Sequence, residues 1–180
     1  MKPRTAVPLA IALCMGLLSA SAARAGNAAI VTPKLLPQPA HMAQKTGSFV
    51  VDGNTRIQAQ GAVARRVATQ FATMLPALMP QPKLASGGTR GEVTFAIDAT
   101  RAWPSPDAYA IDIGAHGVRV HAGAEKGLYY GAVTLAQLLT SGAPSTRVRL
   151  PALRIDDAPR FGWRGLMLDS ARHVQSVDDI

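Results

Sequence analysis

Two stretches of this chain repeat their apolar residues at helical spacing, and several shorter ones alternate at period two. Val63, Val67, Phe71, Leu75 and Leu78 predict a helix between Gln60 and Met79, which Pro76 would kink or end. Leu128, Val133, Leu135, Leu138 and Leu139 predict a second one from Glu125 to Leu139, stopped by Gly142 and Pro144. The clearest strands are Tyr109 to Ile113 and Val118 to Ala122, a hairpin around Gly114–Gly117. Further strands are expected at Ser48–Asp52, before the Gly53-Asn54 turn, at Glu92–Ile97 and at Arg147–Ile155. Pro33, Pro37 and Pro39 mark an extended lead-in over Ile30–Met42, and loops are expected at Ala85–Thr89 and Trp103–Pro106. The order predicts an α+β layer: a mostly antiparallel sheet with two helices on one face.

The residues before this pattern read as an export signal. Lys2 and Arg4 form a basic start, Ala6–Leu18 is apolar apart from Pro8, and Ala23-Arg24-Ala25 has the small-residue spacing of a cleavage site. The apolar run is shorter than the roughly 20 residues that span a bilayer. Residues 1–25 are therefore expected to be a signal peptide, and the mature protein periplasmic or secreted with no membrane anchor. Ala22 is the other candidate cleavage position.

Removing the signal changes the charge argument. The formal charge of +8 includes Lys2, Arg4 and Arg24; without them 16 basic residues face 11 acidic ones. Those charges are scattered, with Arg65-Arg66 the only adjacent basic pair, so nucleic-acid binding is not expected. Cys14, the only cysteine, leaves with the signal, which excludes disulfides and cysteine metal sites from the mature chain. His41 and His116 fall in loops, and His121 lies mid-strand on the face opposite Val118 and Val120, where exposure is the default. No two of these histidines have a metal-ligand spacing, so no histidine metal site is expected.

The last residues differ in character. Asp156 to Phe161 reads as a Pro-marked linker, Gly162–Asp169 as a buried strand, Ser170–His173 as a polar loop, and Ser176-Val177-Asp178-Asp179 as a helix start. Strand, polar loop and helix start are how one unit of a (β/α)8 barrel opens, and in such barrels the loops after the strands carry the site.

The run Pro159-Arg160-Phe161-Gly162-Trp163-Arg164-Gly165-Leu166-Met167-Leu168-Asp169-Ser170-Ala171-Arg172-His173 resembles the first barrel strand of glycoside hydrolase family 20, the β-N-acetylhexosaminidases. Ala124–Leu139 is similar to the second helix of that family's non-catalytic N-terminal domain, and Leu36-Pro37-Gln38-Pro39 fits its lead-in. The resemblance implies a non-catalytic domain over residues 26–158 and the opening of a catalytic barrel over 159–180. It implies an exo-acting enzyme that removes terminal N-acetylhexosamine from an oligosaccharide or glycoconjugate, without a cofactor. Arg164 would grip sugar hydroxyls, which a planar fork of donors suits better than a lysine. Asp169, Arg172 and His173 would form a supporting polar shell. Arg164 and Asp169 are five apart, so a regular strand would point them to opposite faces.

The family's reaction departs from the two-carboxylate scheme. A glutamate protonates the leaving oxygen while the substrate's own acetamido oxygen attacks, oriented by an adjacent aspartate. No Asp-Glu dipeptide occurs in the 180 residues, and Asp156-Asp157 and Asp178-Asp179 read as linker turn and helix start. The chain is therefore expected to be inactive alone. An exported carbohydrate-binding or interaction module without catalysis is the alternative.

Overall fold

The computed structural model describes residues 33–85, 92–165, 167 and 176. The expected signal peptide, most of the Ala85–Thr89 loop, and Asp169, Arg172, His173 and Asp178-Asp179 lie outside the described residues. Seven strands and two helices follow in the order β1 (His41–Val51), β2 (Arg56–Gln60), α1 (Gly61–Thr73), β3 (Lys83–Leu84), β4 (Val93–Ile97), β5 (Tyr109–Gly114), β6 (Gly117–Ala122), α2 (Glu125–Thr140) and β7 (Val148–Asp157). No described helix is long and apolar enough to cross a membrane.

The strands form one sheet in the order β1-β7-β5-β6-β4-β2-β3. The class is α+β as expected, but the sheet is mixed rather than mostly antiparallel. The β1–β7, β7–β5 and β5–β6 pairs are antiparallel, whereas β6–β4, β4–β2 and β2–β3 are parallel. The parallel half follows from connectivity: α1 lies between β2 and β4 in sequence and returns the chain to the same end of the sheet, as a crossover helix does. Both helices pack on the same face of the sheet and on each other.

Each helix forms because its apolar stripe has that sheet to bury against. On α1 the buried positions are Ala64, Val67, Ala68 and Phe71, one face at 3.6-residue spacing. Phe71 meets Phe95 of β4 with ring centroids 5.3 Å apart, a tilted arrangement worth about 0.5–1.5 kcal/mol beyond burial. The helix ends at Thr73, before Pro76, whose ring would clash one turn back and which has no N–H to donate. Leu75 is still buried beyond the helix, but Leu78, expected in the buried stripe, lies beyond the helix end and is 68% exposed. On α2, Leu128, Ala132, Leu135 and Leu139 are buried to 1% exposure or less. Truncating one such leucine to alanine typically costs about 2–5 kcal/mol.

Two strands, β1 and β7, run longer than expected, and two more, β2 and β3, fall where no strand was expected. The first strand begins at His41, not Ser48, so His41 is no loop residue; a register shift between Gln44 and Ser48 divides it. Strand β2 occupies Arg56–Gln60, with Gly61 at φ +89 turning the chain into α1. Strand β7 continues through Asp156 and Asp157, which are therefore strand residues and not a linker turn. The hairpin keeps its expected register, with Gly114 opposite Gly117. The strand expected over Gly162–Asp169 is not formed at its described residues 162–165 and 167, which pair with no strand that could complete their backbone hydrogen bonds.

Candidate functional site

A cleft of about 550 Å³ opens where the outer side of α2 meets the end of β7 and the segment after it. Its floor is a hydrogen-bonded chain joining three elements. Tyr109 of β5 shares a 2.7 Å hydrogen bond with Thr134 of α2 and donates to Asp157 of β7 at 2.9 Å. The other Asp157 oxygen accepts the Ala40 N–H at 2.9 Å, tying down the lead-in. Gln137 clasps Leu36 in the same lead-in, accepting its N–H at 3.3 Å and donating to its carbonyl at 3.0 Å. Burial pushes the Tyr109 phenol well above its ordinary range, so it stays a proton donor to Asp157.

Arg164 forms the rim. Its Nη2 donates to Asp107 at 2.5 Å and to the Tyr130 hydroxyl at 3.3 Å, and its guanidinium lies 5.5 Å from the centre of the Tyr130 ring. Lys126 approaches the other Asp107 oxygen at 3.4 Å. The Arg164 hydrogen bond holds the Asp107 carboxyl below the usual carboxylate range, against the effect of burial, and Lys126 adds to it. Both partners of the Arg164–Asp107 pair remain in contact with solvent, which makes their bond readily exchangeable.

The cleft therefore presents a cationic fork, hydroxyls and aromatic surface, a set suited to holding a polar ligand. Among the described residues it presents no free carboxylate pair, because Asp107 is engaged by Arg164 and Lys126, and Asp157 by Tyr109 and Ala40. Asp156 points to the other face of the sheet and is held by Arg154 and Arg101. Among the described residues no group of three His, Cys, Asp or Glu side chains could hold a metal ion.

A second polar cluster lies on the sheet face away from the helices. His121 was expected to be exposed there but is buried, 7% accessible. The cover is the 98–108 loop: β5 and β4 flank β6 in the sheet, so the chain leaving β4 must cross the end of β6 to reach β5. Trp103 in that loop lies on Gly123, where a Cβ would collide with its indole, and meets the His121 ring edge-on at 5.5 Å. Its indole N–H donates to the Asp98 carbonyl at 2.9 Å. Arg101 stacks on the indole with its Cζ 4.3 Å from the centroid. The pattern of alternation gave no sign of this, because the residues that bury His121 come from an irregular loop.

Sequence and structure comparisons agree on relatives. A family model described as glycosyl hydrolase family 20, domain 2, matches residues 32–158. The β-N-acetylhexosaminidase of Cellulomonas fimi is 34% identical over 136 residues, covering 73% of this chain and 25% of that protein. The β-hexosaminidase of Vibrio furnissii is 31% identical over 152 residues, covering 83% of this chain and 23% of that protein. Among solved structures, the exo-β-N-acetylglucosaminidase of Vibrio harveyi in complex with N-acetylglucosamine superposes with a TM-score of 0.69 at 27% identity, over 80% of this chain and 22% of that one. The N-acetyl-β-hexosaminidase of Streptomyces plicatus gives 0.64 at 28% identity, over 82% and 31%. The chain thus spans about a quarter of the length of the curated relatives it matches.

Proposed function

The chain belongs to glycosyl hydrolase family 20, and on that footing we propose that it is the front part of an exported, exo-acting β-N-acetylhexosaminidase. The observation that carries this is the succession of two signals in one sequence. The family's domain 2 matches up to Ala158, and the Trp163-Arg164-Gly165 run follows at once. Residues 1–25 serve as the signal peptide, 26–158 as the α+β domain, and 159–180 as the opening of the barrel. The substrate is an oligosaccharide or glycoconjugate ending in a non-reducing N-acetylhexosamine.

Hydrolysis proceeds with retention and with the substrate's help. A glutamic acid protonates the leaving oxygen, the acetamido oxygen forms the bond to the anomeric carbon, and water then opens the cyclic intermediate. The aspartate and glutamate of that step are not in these 180 residues, so the chain alone does not hydrolyse the substrate. Its own contribution is Arg164, whose fork of donors grips two neighbouring sugar hydroxyls. The exposed, exchangeable bond to Asp107 supports this role, since the guanidinium is not locked into a buried pair. Asp169, Arg172 and His173 furnish the polar shell around it.

The test compares the 180-residue chain with the complete reading frame on an aryl N-acetyl-β-glucosaminide. Release of the aryl group by the complete protein alone supports the proposal. Turnover by the 180 residues, or none by a folded complete protein, overturns it.

A further inference from the structure

The polar cluster around His121 takes no part in that reaction. His121 Nδ1 lies 3.4 Å from Asp98 Oδ2 and its Nε2 lies 3.4 Å from Asp112 Oδ2. The Nε2 atom is buried and has no partner in hydrogen-bond alignment. The two carboxylates come from different parts of the fold: Asp98 from the crossing loop, Asp112 from β5. A neutral imidazole has one N–H and can donate to only one of them, leaving a lone pair facing the other. An imidazolium carries an N–H on each ring nitrogen and a positive charge 3.4 Å from each carboxylate, so it attracts both.

We propose that His121 is a proton-operated latch: charged, it fastens the Asp98–Trp103 loop to the sheet by bridging Asp98 and Asp112, and neutral, it releases one of the two.

The other charged groups around the ring favour this geometry. Arg154 of β7 donates to both Asp112 oxygens at 3.1 Å, and Lys45 of β1 reaches Asp112 at 3.2 Å, so the Asp112 side chain is held in place beside the ring. Arg154 and Arg101 hold Asp156 on the same face. Arg119, two residues before His121 on β6, pairs across the sheet with Asp112 in register and is exposed. Thr100 donates to Asp98 from both its hydroxyl and its backbone, holding the carboxyl down to about 2, so Asp98 is an acceptor throughout the range in which an imidazole titrates. Trp103, part of the same loop, meets the ring edge-on.

The test is hydrogen exchange read by mass spectrometry on the complete protein, from about pH 5 to 8, where an imidazole is the side chain that changes charge. Rates are corrected for the intrinsic pH dependence, and α1, which contains no histidine, serves as reference. Protection of the 98–108 segment should fall about tenfold as the pH rises, the scale of one charge-assisted hydrogen bond. In His121→Gln the profile should be flat. A flat wild-type profile, or the same slope in the variant, overturns the latch. If His121→Gln does not fold, Asp112→Asn decides: a reduced slope supports the latch, and an unchanged slope overturns it.

Discussion

Tyr109 and Asp157 face each other across the β5–β7 pairing, and the phenol donates to the carboxylate at 2.9 Å while sharing a second hydrogen bond with Thr134. One hydroxyl thus joins the sheet's antiparallel half to α2 and, through Asp157, to Ala40 of the lead-in. Tyr109→Phe keeps the ring and removes only that junction. It should lower the free energy of unfolding by about 1–2 kcal/mol, since Thr134 and Asp157 each lose a partner in a part-buried site. Urea denaturation with an unchanged m-value checks this; an unchanged midpoint would show that the junction contributes nothing.

Gly127 sets helix propensity against packing. In an exposed helix interior, Gly→Ala stabilises by about 1 kcal/mol. Here the added Cβ would strike the backbone oxygen of Ala108, which is anchored and cannot turn aside. The Gly127 N–H also donates to the Pro106 carbonyl at 3.0 Å, fixing the two segments together. Gly127→Ala should therefore destabilise, by about 1–3 kcal/mol as overpacking does. A melting temperature above that of the wild type would contradict the close approach.

Asp98 should leave a signature in acid. Its folded carboxyl titrates near 2 because Thr100 donates to it twice, with His121 adding to the effect. The unfolded carboxyl titrates near 3.9. The depressed group contributes stability that is complete above about pH 4 and drains away as the pH falls toward 2. Asp98→Asn should lose that stretch of the profile, leaving urea midpoints less steep between those values. Parallel profiles for the two proteins would place the acid sensitivity elsewhere.

Arg164→Ala in the complete protein should lower kcat/KM on an aryl N-acetylglucosaminide by about 100-fold or more, the scale of a lost substrate-positioning contact. Asp107→Asn, which removes the charge of its partner in the cleft, should leave the rate within about threefold, because the exposed ion pair is weak. If Asp107→Asn were as damaging as Arg164→Ala, the pair itself would be the working unit.

The hairpin, both helices and the closing strand were legible in the sequence because each repeats its large apolar residues at the period of its own element. Tyr109–Ala122 alternates cleanly, and Leu128–Leu139 keeps its helical period. Strand β2 was not legible: Arg56-Ile57-Gln58-Ala59-Gln60 has two apolar residues, and its identity rests on parallel partners, Val93 and Leu84 beside Ile57, far away in sequence. The same holds for the sheet's mixed character, since strand direction is set by where α1 returns the chain. His121 was misread because period-two alternation assigns a side but not what covers it. Arg164 was singled out by a motif alone, and its partners Asp107 and Tyr130 belong to elements that no local pattern connects to it.

Strand β1 has β7 on one side and no described strand on the other, so eleven residues of main chain could invite a neighbour. The register break between Gln44 and Ser48 interrupts that invitation, and Lys45 beside it adds a charge. An incoming strand would find matching hydrogen-bond partners for only a few residues before falling out of phase. Two molecules meeting edge to edge would therefore pair over only short stretches, which works against fibre growth at this border. Straightening the break by deleting Thr46 and Gly47 would remove that protection and leave the fold with a sticky seam.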